Sequence, residues 1–265
     1  MNKLFTLIIF AITFPWLSAQ DVIINSKKIP VDQVLFQKFR QVEEYEINVE
    51  DIRKKLENIT KVGVELQLNL DSKRIILQLF EYDMFKSNAI VKIQTANGIV
   101  TRKPSKELRT FRGISSSFSG GNAGMTVAKD FLAVIFNENG QTYYLEQKNR
   151  SLDQNLLNQF ILYKTSDVLP VKDVLCGADL LNKHKEEHMK DFDGGEIDKR
   201  NKSCYEVDLA LACDWSYTNF YKSPSNAEAA MVNVANFMQI DWATPLLNEY
   251  IYSISDLWIS EDQFK

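Results

Sequence analysis

The chain has 265 residues, of which 45% are hydrophobic, 25% charged and 11% aromatic, an ordinary globular composition that excludes wholesale disorder. Thirty-one Lys and Arg against thirty-five Asp and Glu leave a net charge of −4, and no segment gathers the basic stripe that a nucleic-acid partner requires. Only two histidines are present, so a zinc site of three histidines cannot be completed within the chain.

Met1 to Ala19 reads MNKLFTLIIFAITFPWLSA: a lysine, an apolar run from Leu4 to Phe14, a proline break and small residues at Ser18 and Ala19. This is the layout of a secretory signal peptide, with cleavage expected after Ala19. The apolar run, about eleven residues, falls short of the roughly 20 that a membrane span takes. No later run approaches that length, so the sequence predicts a secreted, extracytoplasmic chain with no membrane span.

Asp51 to Asn58 reads as a short helix, after which the hydrophobic period changes to two. Val62, Val64, Leu66, Leu68 and Leu70 alternate with polar or small residues, Asp71 to Arg74 supplies a turn, and Ile75, Leu77 and Leu79 alternate again, which predicts a hairpin. Further strands are predicted over Ala89–Thr95, Gly113–Phe118, Met125–Val127, Phe131–Phe136 and Gln141–Glu146, with hairpin turns at Asn97-Gly98 and Asn139-Gly140. From about residue 24 to 170 the chain is expected to be mostly antiparallel β, with one buried face. Ser119 to Gly124 is glycine-rich but does not open a helix, and reads as a flexible loop rather than a phosphate cradle.

Asn182 to Lys202 breaks the pattern, because charges of both signs crowd it and only Met189, Phe192 and Ile197 could be buried. It reads as a solvated linker and a domain boundary, with Lys199-Arg200 as a dibasic step where a processing protease could cut. Beyond it, Tyr205 to Ala212 is a near-continuous apolar run, predicted as a strand buried on both faces. Ser225 with Glu228 three residues on suggests a capping box, and Ala230, Met231, Val234, Phe237 and Met238 recur at helical spacing. Ile251, Ile254 and Leu257 to Ile259 suggest a last strand, so the end of the chain reads strand, helix, strand, the opening of an α/β layer.

His184-Lys185-Glu186-Glu187-His188 has the spacing of an inverted zinc-protease helix, but its neighbours are charged and could not bury or dry a metal, so a solvated charge run is the better reading. Neither G-x-S-x-G nor a P-loop appears. The pairs Glu43-Glu44 and Glu186-Glu187 read as solvated charges. Cysteine is the informative residue. Cys176, Cys204 and Cys213 are three in a chain expected to be exported, so at least one has no internal partner. Cys204 and Cys213, at the two ends of an extended strand, would stand about 30 Å apart and could not pair with each other. Cys176-Gly177 sits between the β-rich region and the linker; its thiol could ligate a metal, pair with Cys204 or Cys213, or be buried.

Several separated strings resemble one family in order. Phe111 to Gln147 (FRGISSSFSGGNAGMTVAKDFLAVIFNENGQTYYLEQ) and Phe160 to Val168 (FILYKTSDV) resemble the propeptides of reprolysin-type (adamalysin-like, ADAM-like) metzincin zinc metalloproteases. YEVDLALACDWSY from Tyr205, VNVANFMQI and IYSISDLWIS resemble the first strand, first helix and second strand of the reprolysin catalytic domain. The resemblance implies the amino-terminal part of a precursor: a signal peptide over 1–19, a β-rich propeptide over 20–181, a charged activation linker over 182–202 and the start of a catalytic domain over 203–265. The implied fold class is α+β, an antiparallel β-rich propeptide followed by an incomplete metzincin-like α/β portion. It implies a hydrolase zymogen acting on proteins or peptides, released by an activating protease. It also implies that Cys176 is an inhibitory zinc switch and Asp208 a calcium ligand. The zinc motif H-E-x-x-H-x-x-G-x-x-H is absent before Lys265, so the chain alone is expected to be inactive, with zinc ligands supplied downstream. A secreted, non-catalytic β-sandwich binding or adhesion module is the competing expectation.

Overall fold

The computed structural model describes residues 20–57, 63–71, 73–116, 121–148, 156–170, 205–243 and 250–262. Ala19, Cys176, the His184 to His188 string, Lys199, Arg200 and Cys204 lie outside them.

The chain opens with strands β1 (Gln20–Asn25), β2 (Lys27–Ile29) and β3 (Glu43–Glu46), followed by helix α1 (Val49–Glu57). Asn48 caps the helix, its side-chain oxygen accepting the Asp51 N–H at 3.0 Å. Val49, Ile52 and Leu56 form its buried face, while Glu50, Asp51, Arg53, Lys54, Lys55 and Glu57 make i,i+3 and i,i+4 pairs on the other. The predicted hairpin follows as β4 (Val64–Leu70) and β5 (Lys73–Glu81), with Asp71 at φ 53° in its turn. Next come β6 (Phe85–Thr95), β7 (Gly98–Arg102), β8 (Arg109–Ser115), β9 (Gly121–Ala128), β10 (Phe131–Glu138), β11 (Gln141–Gln147) and β12 (Gln159–Lys164). Asn139 and Gly140 both have positive φ, the two-residue hairpin turn that the sequence called for. At Asn97-Gly98 only the glycine does.

Ten of these strands form one sheet in the order β1-β4-β5-β8-β9-β10-β11-β12-β3-β2, which curls nearly into a barrel. Its two edges are consecutive in the chain, since β1 runs parallel to β4, and β2, after a bend at Ser26, runs antiparallel to β3. Ser26 fixes the bend by donating its hydroxyl to the Asn69 carbonyl at 2.6 Å. Side chains fill the interior, with Tyr45, Leu66, Leu77, Phe111, Phe136 and Phe160 fully buried and α1 supplying Ile52 and Leu56.

The last segment comprises β13 (Tyr205–Cys213), α2 (Trp215–Phe220), α3 (Pro224–Ala243) and β14 (Tyr250–Ser260). The expected α+β arrangement, a self-contained β-rich propeptide followed by the first strand-helix-strand of a separate α/β fold, is not what forms. The protein is mostly β. Strands β13 and β14 share a four-stranded sheet, ordered β13-β14-β6-β7, with a hairpin drawn from the first half of the chain. Alternation in the sequence identified β6 as a strand, but partner choice depends on long-range packing that the alternation does not encode.

Helix α3 lies between the two sheets, against β9 and β10 on one side and β14 on the other. That position explains why it is apolar nearly all round. Val234, expected in the core, is 53% exposed. The anticipated capping box does not form, because Ser223 accepts the Asn226 N–H at 3.2 Å and Pro224 begins the helix, leaving Glu228 a full turn inside. Residues 121 to 124, read as loop, belong to β9. Gly124 packs beneath α3, where an added Cβ would force the end of the Ile240 side chain to shift. Strand β13, expected to be buried on both faces, is an edge strand with Glu206, Asp208, Ala210 and Ala212 exposed. No helix among the described residues is long and apolar enough to cross a membrane.

Candidate functional site

Among the described residues, two features lie where the ten-stranded sheet meets the four-stranded one. The first is an interlock around the β6–β7 hairpin. β6 pairs in parallel with β14, placing Val91 beside Leu257, Lys92 beside Trp258 and Ile93 beside Ile259. The Ile254 N–H donates to the Met84 carbonyl at 2.7 Å, and the Glu261 N–H to the Gln94 carbonyl at 2.9 Å, extending the ladder at both ends. Where β7 ends, Arg102 donates from Nη2 to Glu228 Oε2 at 2.6 Å, and the Ser105 N–H donates to Glu228 Oε1 at 3.0 Å. Glu228 is fully buried. A carboxylate in that position is tolerable only because both oxygens are engaged.

A second polar tie crosses from β8 and β9 to the same helix. Arg112 donates from Nε to Asn236 Oδ1 at 2.9 Å and stacks over the Tyr82 ring, 3.7 Å from guanidinium carbon to ring centroid. Asn236 in turn donates to the Met125 carbonyl at 3.2 Å and to Thr126 Oγ1 at 3.3 Å. Burial pushes the Arg112 guanidinium down to about 10, with the neighbouring Tyr82 pulling the other way.

The second feature is a cleft of about 1130 Å³ between the end of α1, the β5–β6 connection and the β7–β8 connection. Its charged walls are largely neutralised. Arg109 binds both Glu81 oxygens, at 2.7 and 2.8 Å, and reaches the Leu56 carbonyl at 2.5 Å. Lys86 stands 2.5 Å from Asp208 and 3.7 Å from Glu206, and the hydrogen bond to Asp208 raises its pKa. No nucleophile paired with a base is found among its lining residues.

Of the site residues expected from the sequence, Asp208 is described: it is exposed, on the edge strand β13, with its carboxylate taken by Lys86. Among the described residues, no group of three or more His, Cys, Asp and Glu comes together to hold a metal ion. Cys213 is a half-buried free thiol, 3.5 Å from Thr218 Oγ1, and burial raises its pKa. The reading of Glu43-Glu44 as solvated charge fails for Glu44. Its side chain is 2% exposed, paired with Lys148 at 2.7 Å and accepting the Asp32 N–H at 2.9 Å. The Arg102–Glu228 and Arg112–Asn236 contacts were invisible in the sequence, since more than 120 residues separate the partners in each.

No protein-family model and no curated protein matches the chain. Among solved structures, metalloproteinase-II from Bacteroides fragilis aligns with 9% identity and a TM-score of 0.35, over 82% of this chain and 58% of that one. The chain therefore spans less than two thirds of that protein's length.

Proposed function

We propose that this chain is the amino-terminal part of an exported, reprolysin-type zinc metalloendopeptidase precursor, and that residues 20–181 act as its propeptide, templating and restraining the segment that follows the linker. The observation that carries this reading is the interlock: the segment before the charged linker supplies two of the four strands in the sheet that β13 and β14 enter. β6 pairs with β14, and β9 and β10 seat α3, contacts of the kind by which a folding-assisting propeptide would hold a downstream segment. The collinear strings from Phe111 to Ser260 that resemble reprolysin precursors support the same reading.

In that family the inhibitory thiolate falls where Cys176 stands, and protein or peptide substrates and an activating protease belong to the complete precursor. Among the described residues no group of three or more His, Cys, Asp and Glu gathers, and Asp208 carries an ion pair to Lys86. The coding sequence downstream of Lys265 is the direct test. The reading predicts H-E-x-x-H-x-x-G-x-x-H within roughly 100 codons, and a stop codon with no such motif refutes it. In the complete precursor, Cys176→Ser should raise activity before processing, whereas unchanged latency would make Cys176 a structural thiol.

On the second reading, a secreted non-catalytic binding module, the ligand would sit in the cleft of about 1130 Å³. A stop codon soon after Lys265, together with retention of a peptide in that cleft, would establish it.

A further inference from the structure

An open sheet edge is a row of unpaired backbone N–H and C=O groups that can pair with another strand, so natural chains blunt their edges with charge, shortness or cover. Three of the four sheet edges among the described residues are blunted in these ways. β1 carries Asp21, and Lys55 of α1 donates to its Ile23 carbonyl at 3.0 Å. β2 is only three residues long, two of them lysine. β13 carries Glu206 and Asp208, and Lys86 reaches both from β6.

β7 has none of these devices. It is the outer strand of the four-stranded sheet, and among the described residues only β6 pairs with it. Gly98, Ile99, Val100 and Thr101 are all exposed, with neither charge nor proline among them, and Ile99 and Val100 are 57% and 52% exposed. Three consecutive β-branched residues favour the extended backbone that a further strand would pair with. The register with β6 sets Val100 opposite Ile93, on the face that α3 covers, and Ile99 and Thr101 opposite Gln94 and Lys92, on the other face. Each face of this edge therefore presents an uncovered apolar side chain.

We propose that β7 is a self-association edge, at which two copies of the chain pair β7 with β7 antiparallel about a twofold axis and join their four-stranded sheets edge to edge. Symmetry and charge favour a second copy as the occupant. A twofold axis that makes the two strands antiparallel stands perpendicular to the sheet, so like faces meet and opposed residues share a face. The register that engages all five residues of β7 is centred on Val100, which meets its own copy, while Ile99 meets Thr101 and Gly98 meets Arg102. No like charges are opposed there, and Arg102 is already paired with Glu228. Parallel pairing would instead set Arg102 beside Arg102. A contact one five-residue strand long falls below the roughly 1,200 Å² of standard interfaces, which places the association in the weak, reversible class.

Sedimentation velocity on the full chain from about 1 to 300 μM should show the weight-average coefficient climbing from monomer toward dimer, with a Kd of order 10–100 μM. Val100→Lys and Val100→Glu should each weaken association by about tenfold or more, because each opposes two like charges at the axis. Mixed in equal amounts, the two variants should associate again, since Lys then faces Glu. Val100 is half out of the packed core, and a near-ultraviolet circular dichroism spectrum matching the wild type shows that each variant is folded. A wild-type chain that stays monomeric throughout overturns the proposal, and so does association that survives Val100→Lys. Failure of the mixture to recover overturns the twofold pairing at Val100. Neither the proposal nor its test uses the zinc motif, so the outcome is independent of the precursor reading.

Discussion

Replacing Glu228 by Gln removes one charge and leaves the shape of the side chain nearly unchanged. Glu228 is fully buried in α3, while the side chain of its partner Arg102 is 29% exposed at the end of β7. Breaking a fully enclosed ion pair costs about 3–5 kcal/mol, mostly from the charge left without a partner. Arg102 can recover part of its hydration, and the amide oxygen of Gln can still accept the Ser105 N–H, so the loss should be about 2–3 kcal/mol. Urea unfolding measured by near-ultraviolet circular dichroism reads this as a fall in midpoint at constant m. Arg102→Met alone should cost a similar amount, and the double variant should recover about 1–2 kcal/mol of the sum, since neither charge is then stranded. A Glu228→Gln loss below ~0.5 kcal/mol, or strict additivity of the two changes, would refute the assignment of this pair as the clamp between hairpin and helix.

Two further outcomes follow from the described contacts. Burial of Glu43 raises its pKa, but hydrogen bonds from Lys28, Tyr45 and Lys73 outweigh that and hold it at about 2, against an ordinary value of 4.5. Its contribution is therefore fully present above pH 4.5 and lost as pH falls from there to about 2; the shift corresponds to ~3 kcal/mol, reduced to roughly 1–2 by solvent screening of a group whose side chain is 31% exposed. Unfolding midpoints between pH 2 and 6 should fall less steeply in Glu43→Gln than in the wild type, and parallel curves would contradict the assignment. Gly124→Ala should cost about 1–3 kcal/mol by pushing Ile240 from its place, and a neutral or stabilising change in urea unfolding would show that α3 does not approach β9 so closely.

Local features were legible in the sequence because local rules produce them. The alternation from Val64 to Leu79, the turn at Asn139-Gly140 and the helical spacing after Ala230 each correspond to an observed element. What could not be read was which strands pair beyond the local hairpins. β6 and β7 look in sequence like their neighbours β5 and β8, yet they leave that sheet, and β6 pairs with β14, more than 150 residues away in the chain, while β7 pairs with β6. The apolar run of β13 signalled burial on both faces, but an edge strand carries it, because apolar content does not reveal position within a sheet. The candidate site was less legible still. Glu228 resembled one half of a capping box, and Glu44 one of two solvated acids; each is a buried carboxylate whose partner comes from a distant element.

Native-state hydrogen exchange tests the interlock most directly. If β6 and β14 belong to one sheet, the amides of Val91 and Ile93 and those of Leu257 and Ile259 should exchange through the same opening, with free energies agreeing within about 1 kcal/mol, and should weaken together in Arg102→Ala. Amides of β14 that exchange several kcal/mol more easily while β6 stays protected would mean that the two portions fold apart, and the proposed restraint would have no physical basis.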